Sequence, residues 1–191
     1  MYNKSLLSSG ANSCNMKIIL KKLSHHPLNE EIYSLSSIED LMSSIDEVGL
    51  LQPLVVNNKF QVLSGNRRLE AVKRLGWKSV EVEKIKTNKK DEPQMIVHFN
   101  KQRVKTCREL LNEIYILMPQ YSIGQGKRTD LTNVRPNKGS ARDEIADLVG
   151  MSSSQIGKLL FIEKNDPDFI TLIDDGQLTI NQAYISVSRA K

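Results

Sequence analysis

The chain has 191 residues, 39% of them hydrophobic, and carries 27 Lys and Arg against 22 Asp and Glu for a net charge of +5. That length allows one large domain or two small ones, and that composition supports a modest core, which excludes wholesale disorder. No apolar run reaches membrane-spanning length, the N-terminus lacks a secretory pattern, and two cysteines, Cys14 and Cys107, make neither a disulfide framework nor a zinc cluster.

In chain order, residues 1–15 read as a flexible lead-in rich in Ser, Asn and Gly, and folded structure is expected from about Met16. Residues 17–23 have strand character, and His25-His26-Pro27 then breaks the run, since Pro27 disfavours helix at His26. The two adjacent histidines are expected to point apart on a turn surface. Ile38, Leu41, Met42, Ile45 and Val48 fall at helical spacing, with Gly49 as the stop. Residues 50–56 read as a short strand, Asn57-Asn58-Lys59 as a hairpin turn, and 60–64 as the returning strand. Leu69, Val72 and Leu75 line one face of a helix ending at Gly76, and Trp77 is expected to pack on the sheet. Residues 79–85 alternate as a strand, 92–100 read as a short helix with His98 partly buried, and 106–118 as an amphipathic helix ended by Pro119. Residues 122–140 hold three Gly and four basic residues and read as a linker. After it the pattern is all helical: 141–148, 153–162, 167–174 and 179–189.

The best-defined local pattern is RDEIADLVGMSSSQIGKLLF, residues 142–161. A helix-turn-helix needs a small residue where the helices touch (Ala146), a glycine in the turn (Gly150) and apolar residues that lock the pair (Ile145, Val149, Met151, Ile156 and Leu159). Ser152 is placed to cap the second helix, with Ser153, Ser154, Gln155, Gly157 and Lys158 near its exposed face. Ser and Gln can pair with base edges and Lys with phosphate, with the second helix in the major groove. Two ordinary packed helices joined by a glycine satisfy the same pattern. Lys127, Arg128, Arg135, Lys138 and Arg142 add phosphate-binding charge just upstream.

A second pattern, VLSGNRRLEAVKRLG (62–76), sets strand, Gly65, two arginines and helix in order. A glycine before a helix lets backbone N–H groups face an anion, and Arg67 and Arg68 bring forked donors suited to phosphate. Taken locally, it reads equally well as a solvated helix start.

Four segments stand in a telling order: IEDLMSSIDEVGLLQPLVV, SGNRRLEAVKRLGW, HFNKQRVKTCRELLNEIY and the helix-turn-helix. In order and spacing the chain resembles the ParB family over about residues 17–188. HPLNEEIY (26–33) is similar to that family's entry segment. The resemblance implies an α+β architecture: a flexible terminus (1–15), a ParB/sulfiredoxin-like α/β domain (16–120), a basic linker (121–140) and an all-α helix-turn-helix domain (141–191). It implies that Gly65-Asn66-Arg67-Arg68 and Asn100-Lys101-Gln102-Arg103 bind a nucleotide, in partition proteins CTP with Mg²⁺. Gly65, Asn66, Arg67, Arg68, Asn100, Gln102 and Arg103 are the residues carried over. Two departures bear on turnover: Asn66 and Phe99 stand where the family has glutamates, and Mg²⁺ prefers hard oxygen ligands. Asn66 also occupies the catalytic cysteine position of the sulfiredoxin branch, so reductase chemistry is not expected. Cys14, in the lead-in, and Cys107, in a helix, read as inert.

The resulting expectation is a sequence-specific, nucleotide-responsive DNA-binding protein acting in plasmid or chromosome partition or mobile-element maintenance. It would be a homodimer on double-stranded DNA, cytoplasmic and associated with nucleoid or plasmid, with a partition ATPase as a further partner. One alternative is a ParB-like nuclease or nucleotide hydrolase. Glu30, Glu31, Glu39 and Asp40 are available to it but form no recognisable metal-ligand set, and no catalytic residue is assigned. The other alternative is a non-catalytic regulator or adaptor. Charge divides unevenly along the chain: net +3 over residues 1–100, +6 over 101–142 and −4 beyond.

Overall fold

A computed structural model describes residues 14–34, 37–121 and 141–190. The chain divides into two units, residues 1–100 and 101–191.

The first unit is built on a five-stranded mixed sheet: β1 (Cys14–Ile19), β2 (Ser24–His25), β3 (Leu54–Val56), β4 (Gln61–Ser64) and β5 (Ser79–Lys84), in the order β1-β5-β3-β4-β2. The helices are α1 (Pro27–Ile32), α2 (Glu39–Val48), α3 (Asn66–Arg74) and α4 (Glu92–Phe99). β1 starts at Cys14, ahead of the expected Met16. Its antiparallel pairing with β5 runs from Cys14 opposite Lys84 to Ile19 opposite Ser79, so ladder bonds extend the strand beyond its hydrophobic part. Cys14 therefore lies in a strand, not in a lead-in; residues 1–13 lie outside the described residues.

β3 is buried along its whole length, and adjacent Val62 and Leu63 of β4 are both fully buried. Successive strand residues face opposite sides, so the centre of the sheet is covered on both faces. On one side Leu69, Ala71 and Val72 of α3 and Ile45 of α2 join Leu54, Val56, Val62, Val80 and Val82 in the core, with Trp77 packed at its margin. Each buried Val, Leu or Ile side chain among them contributes about 1.5–3 kcal/mol relative to exposure.

His25-His26-Pro27 does more than break a strand. Pro27 occupies the first position of α1, where a missing N–H costs nothing, and His26 caps that helix.

Among the described residues the elements of the second unit are all helices: α5 (Cys107–Tyr121), α6 (Ala141–Val149), α7 (Ser153–Asn165), α8 (Asp168–Asp174) and α9 (Ile180–Arg189). Its core joins Cys107 and Leu111 of α5 to Leu159, Ile162, Ile170, Ala183 and Val187. This shared core places α5 with the helical unit, whereas the resemblance set the domain boundary near residue 120. α5 also continues through Pro119 to Tyr121. The proline sits in the last turn, and the residue whose carbonyl it leaves without a donor, Tyr115, is exposed to water. α7 and α9 each open with a capping box, Ser152 with Gln155 and Thr179 with Gln182.

Candidate phosphate site and nucleic-acid interface

β4 ends at Ser64, and α3 begins two residues later. Between them Gly65 has φ +100° and ψ 27°. A side chain there is excluded twice. The conformation belongs to the left-handed region, and a Cβ would stand 2.7 Å from Leu54 Cδ2 and 3.0 Å from Arg68 Nη2. With glycine as its cap, α3 has no capping side chain, so its first turn presents backbone N–H groups in the manner that suits an anion.

The three residues after Gly65 are each held by a named partner. Arg67 Nη2 donates to the Ser37 carbonyl at 2.7 Å. Arg68 Nη1 donates to the carbonyls of Gln52 at 2.7 Å and Pro53 at 3.0 Å. Asn66 Oδ1 lies 2.8 Å from His25 Nδ1, and His25 Nε2 is 4.0 Å from Glu70 one turn along α3. His25 reaches this place because β2 pairs in parallel with β4, His25 opposite Val62.

The unit boundary falls inside the second motif. Asn100 closes the first unit and turns back on α4, its Nδ2 donating to the Ile96 carbonyl at 2.8 Å. Gln102 is exposed at the start of the second unit. Arg103 Nη2 donates to Glu109 Oε1 at 2.8 Å. Glu109 in turn accepts from Thr106 N while its own N–H donates to Thr106 Oγ1, which caps α5. Lys105 and Glu113 form an ion pair of 2.7 Å with both side chains buried.

In the helical unit, Gly150 turns the chain at φ +78°, and both Gly150 N and Met151 N donate to the Ala146 carbonyl. Ala146 is buried where α6 ends, as are Ile145, Val149, Ile156 and Leu159. Ser152 Oγ accepts from Gln155 N, and Gln155 Oε1 accepts from Ser152 N, so both are used in the cap. Ser153 Oγ donates to Asp143 Oδ1 of α6. Ser154 is exposed. Lys158 Nζ donates to Asn181 Oδ1 at 2.6 Å and lies over the Tyr184 ring. Arg142 sits beside Gly157. Lys127, Arg128, Arg135 and Lys138 lie outside the described residues.

Residues 8–101 match the family model described as the ParB N-terminal domain. The chain carries a ParB N-terminal domain. It is 29% identical over 160 residues to the probable chromosome-partitioning protein ParB of Campylobacter jejuni, covering 81% of this chain and 51% of that protein. The chain thus spans about half the length of that curated relative. Its fold is similar to that of a Pnob8-like ParB-N domain, with a TM-score of 0.66, 18% identity, and coverage of 92% of this chain and 80% of that one. It is also similar to C-terminally truncated ParB from Caulobacter crescentus complexed to the centromeric parS site, with a TM-score of 0.58, 19% identity, and coverage of 90% and 84%.

Within this ParB N-terminal domain the histidine pair was misread as turn surface. His26 is buried; its Nδ1 accepts from Leu28 N, which leaves Nε2 to donate to Glu92 Oε2 at 3.0 Å. Glu92 Oε1 accepts from Asn57 Nδ2 at 3.0 Å and Thr87 Oγ1 at 2.7 Å. Burial pushes the Glu92 carboxyl up, but the hydrogen bonds from Thr87, His26 and Asn57 and the attraction of His26 outweigh it and hold it below its ordinary value. This network ties the cap of α1 to the β3–β4 turn and to α4.

The Gly65 turn suits one of the ligands that the ParB resemblance implies better than the other. The donors suit a phosphate: Gly65 leaves the first turn of α3 without a capping side chain, and Arg67 and Arg68 bring guanidiniums beside it. Mg²⁺ does not fit. Among residues 65–68 the sole side-chain oxygen is Asn66 Oδ1, which faces His25, and Phe99 supplies none.

Proposed function

We propose that this ParB-like chain binds a specific double-stranded DNA site through α6 and α7 and responds to a nucleotide at the Gly65 turn. Its biological setting is partition or maintenance of a plasmid, chromosome or mobile element, as a homodimer on a palindromic site and with a partition ATPase as partner. The observation that carries this reading is the helix pair turning at Gly150: its apolar residues are buried, and the start of α7 is exposed at Ser152, Ser154 and Gln155. The Gly65 turn supports the nucleotide half of the reading. Its donors suit the phosphates of CTP or another nucleoside triphosphate, and the lack of carboxylates at Asn66 and Phe99 favours binding without hydrolysis.

Two measurements test the two halves separately. Selection from random duplexes at moderate salt should enrich one short palindromic site; no enrichment over competitor refutes DNA recognition. Calorimetry with CTP, ATP and GTP should detect binding that survives EDTA and is lost in Arg68→Ala. Absence of heat with all three nucleotides refutes the turn, and binding that requires Mg²⁺ refutes the assignment of its donors.

A further inference from the structure

Ser153 and Gly157 lie four residues apart on α7 and so share one face of it. The first turn of α6 lies over that face. Asp143 accepts the hydrogen bond of the Ser153 hydroxyl, and Arg142 Nη1 lies 3.6 Å from where a Cβ of Gly157 would stand. Gly157 is in the second turn of α7, where glycine is the poorest choice for helix stability apart from proline. A Cβ there would touch the guanidinium at ordinary contact distance, and a longer side chain would run into it.

Near the start of α7, Ser154 is exposed, whereas the other polar residues are occupied in other ways. Ser152 and Gln155 bond each other in the cap, and Lys158 donates to Asn181 and lies over Tyr184 of α9. A guanidinium on the exposed side of α7 is therefore supplied from α6, by Arg142. We infer that Arg142 is a base-reading side chain: lying across α7 at Gly157, it is placed to donate its fork to the O6 and N7 atoms of a guanine in the major groove. This rests on the DNA reading proposed above.

The chemistry favours a base edge over a phosphate. In helix-turn-helix docking the N-terminal part of the second helix faces the bases, and Gly157 is within its first two turns. The Asp143 carboxylate is held on the same face by Ser153, next to Arg142 in sequence. A negative charge there repels a phosphate oxygen, whereas the guanine edge is neutral and offers two acceptors at the spacing of the fork.

The test uses the full chain and its own selected site. Selection and binding are compared for wild type, Arg142→Ala, Arg142→Lys and Gly157→Leu, with far-ultraviolet circular dichroism as the folding control. Arg142→Ala should lower the preference for one G·C pair in each half-site by about 5- to 150-fold. Arg142→Lys, which keeps the charge without the fork, should also lose that preference. Gly157→Leu should displace the guanidinium and copy the specificity change with Arg142 still present. Uniform weakening on all sequences, with the salt slope flattened by about 0.9 in Arg142→Ala and restored in Arg142→Lys, makes Arg142 a phosphate contact and overturns the inference. Unchanged binding and unchanged preference in Arg142→Ala overturn it as well. If wild type selects no sequence, the DNA reading itself has failed, an outcome distinct from either.

Discussion

Gly65→Ala puts the geometry of the phosphate turn to a quantitative test. The backbone at Gly65, with φ +100°, costs an L-residue about 1–2 kcal/mol. The new Cβ also meets Leu54 Cδ2 at 2.7 Å, and Leu54 is fully buried in the sheet core, so relief requires moving packed atoms at about 1–3 kcal/mol. The close contact with Arg68 Nη2 at 3.0 Å adds little, because the end of a long side chain can swing away. The expected loss is about 2–5 kcal/mol, a large share of the total stability of a small domain. Urea unfolding should show it as a lower midpoint at unchanged slope. A double-mutant cycle isolates the cause. In a Leu54→Ala background, costly in itself, the increment for Gly65→Ala should shrink to the conformational part alone. A loss below about 1 kcal/mol in the wild-type background would show that the turn relaxes without strain, and the space argument would fail.

Three further outcomes are expected. The Glu92 carboxyl is held below its ordinary value, so it contributes stability above the unfolded-state value and loses it as pH falls through the folded one; Glu92→Gln should flatten the acid limb of a stability-against-pH curve. Cys107 is pushed up to about 11 by burial, then by the Asp174 charge and hydrogen bond, so iodoacetamide at neutral pH should label exposed Cys14 and spare Cys107 until the protein unfolds, as read by peptide mass mapping. Neutralising Lys127, Arg128, Arg135 and Lys138 together should weaken DNA binding on all sequences and flatten its salt slope by up to about 3.6, whereas unchanged affinity would mean that these charges serve solubility alone.

The elements were legible where one local signal decided them. Gly49 and Gly76 marked the ends of helices, the β3–β4 hairpin followed from Asn57-Asn58-Lys59, and the capping serine of α7 stood where its Gln155 partner required it. What was not legible depended on partners distant in sequence. His25 and His26 were two polar residues before a proline until β2 paired with β4 and α4 brought up Glu92, 66 residues away. Only that tertiary placement gives the pair opposite tasks, one on Asn66 and one inside a buried network. The extension of β1 to Cys14 likewise required the register against β5. In the site, Gly65 with its arginines could be named from sequence order, but the carbonyls that hold those arginines could not. Lys158 shows the same limit: its place on α7 could be named from the sequence, but its bond to Asn181 and its position over Tyr184 of α9 could not.

Under the nucleotide reading proposed above, the arginines of the turn make α2 sensitive to occupancy of the site. Arg67 holds the carbonyl of Ser37, just before α2, and Arg68 holds those of Gln52 and Pro53, just after it. The two guanidiniums thus fasten both ends of one helix. These bonds join a charge to neutral carbonyls, and a phosphate is the stronger acceptor, so a bound triphosphate competes for the same donors. α2 is otherwise anchored chiefly by Ile45, with Leu41 and Met42 half-buried beside it. Amide hydrogen exchange in 37–53 should therefore speed up when nucleotide binds, while the α3 amides next to Gly65 slow down. Arg67→Ala should raise exchange near Ser37 without any nucleotide present, and Arg68→Ala should do so near Gln52. Uniform protection of both segments on binding would refute the exchange of partners, since it would mean that the carbonyls keep their arginines while the phosphate is held by backbone N–H groups alone.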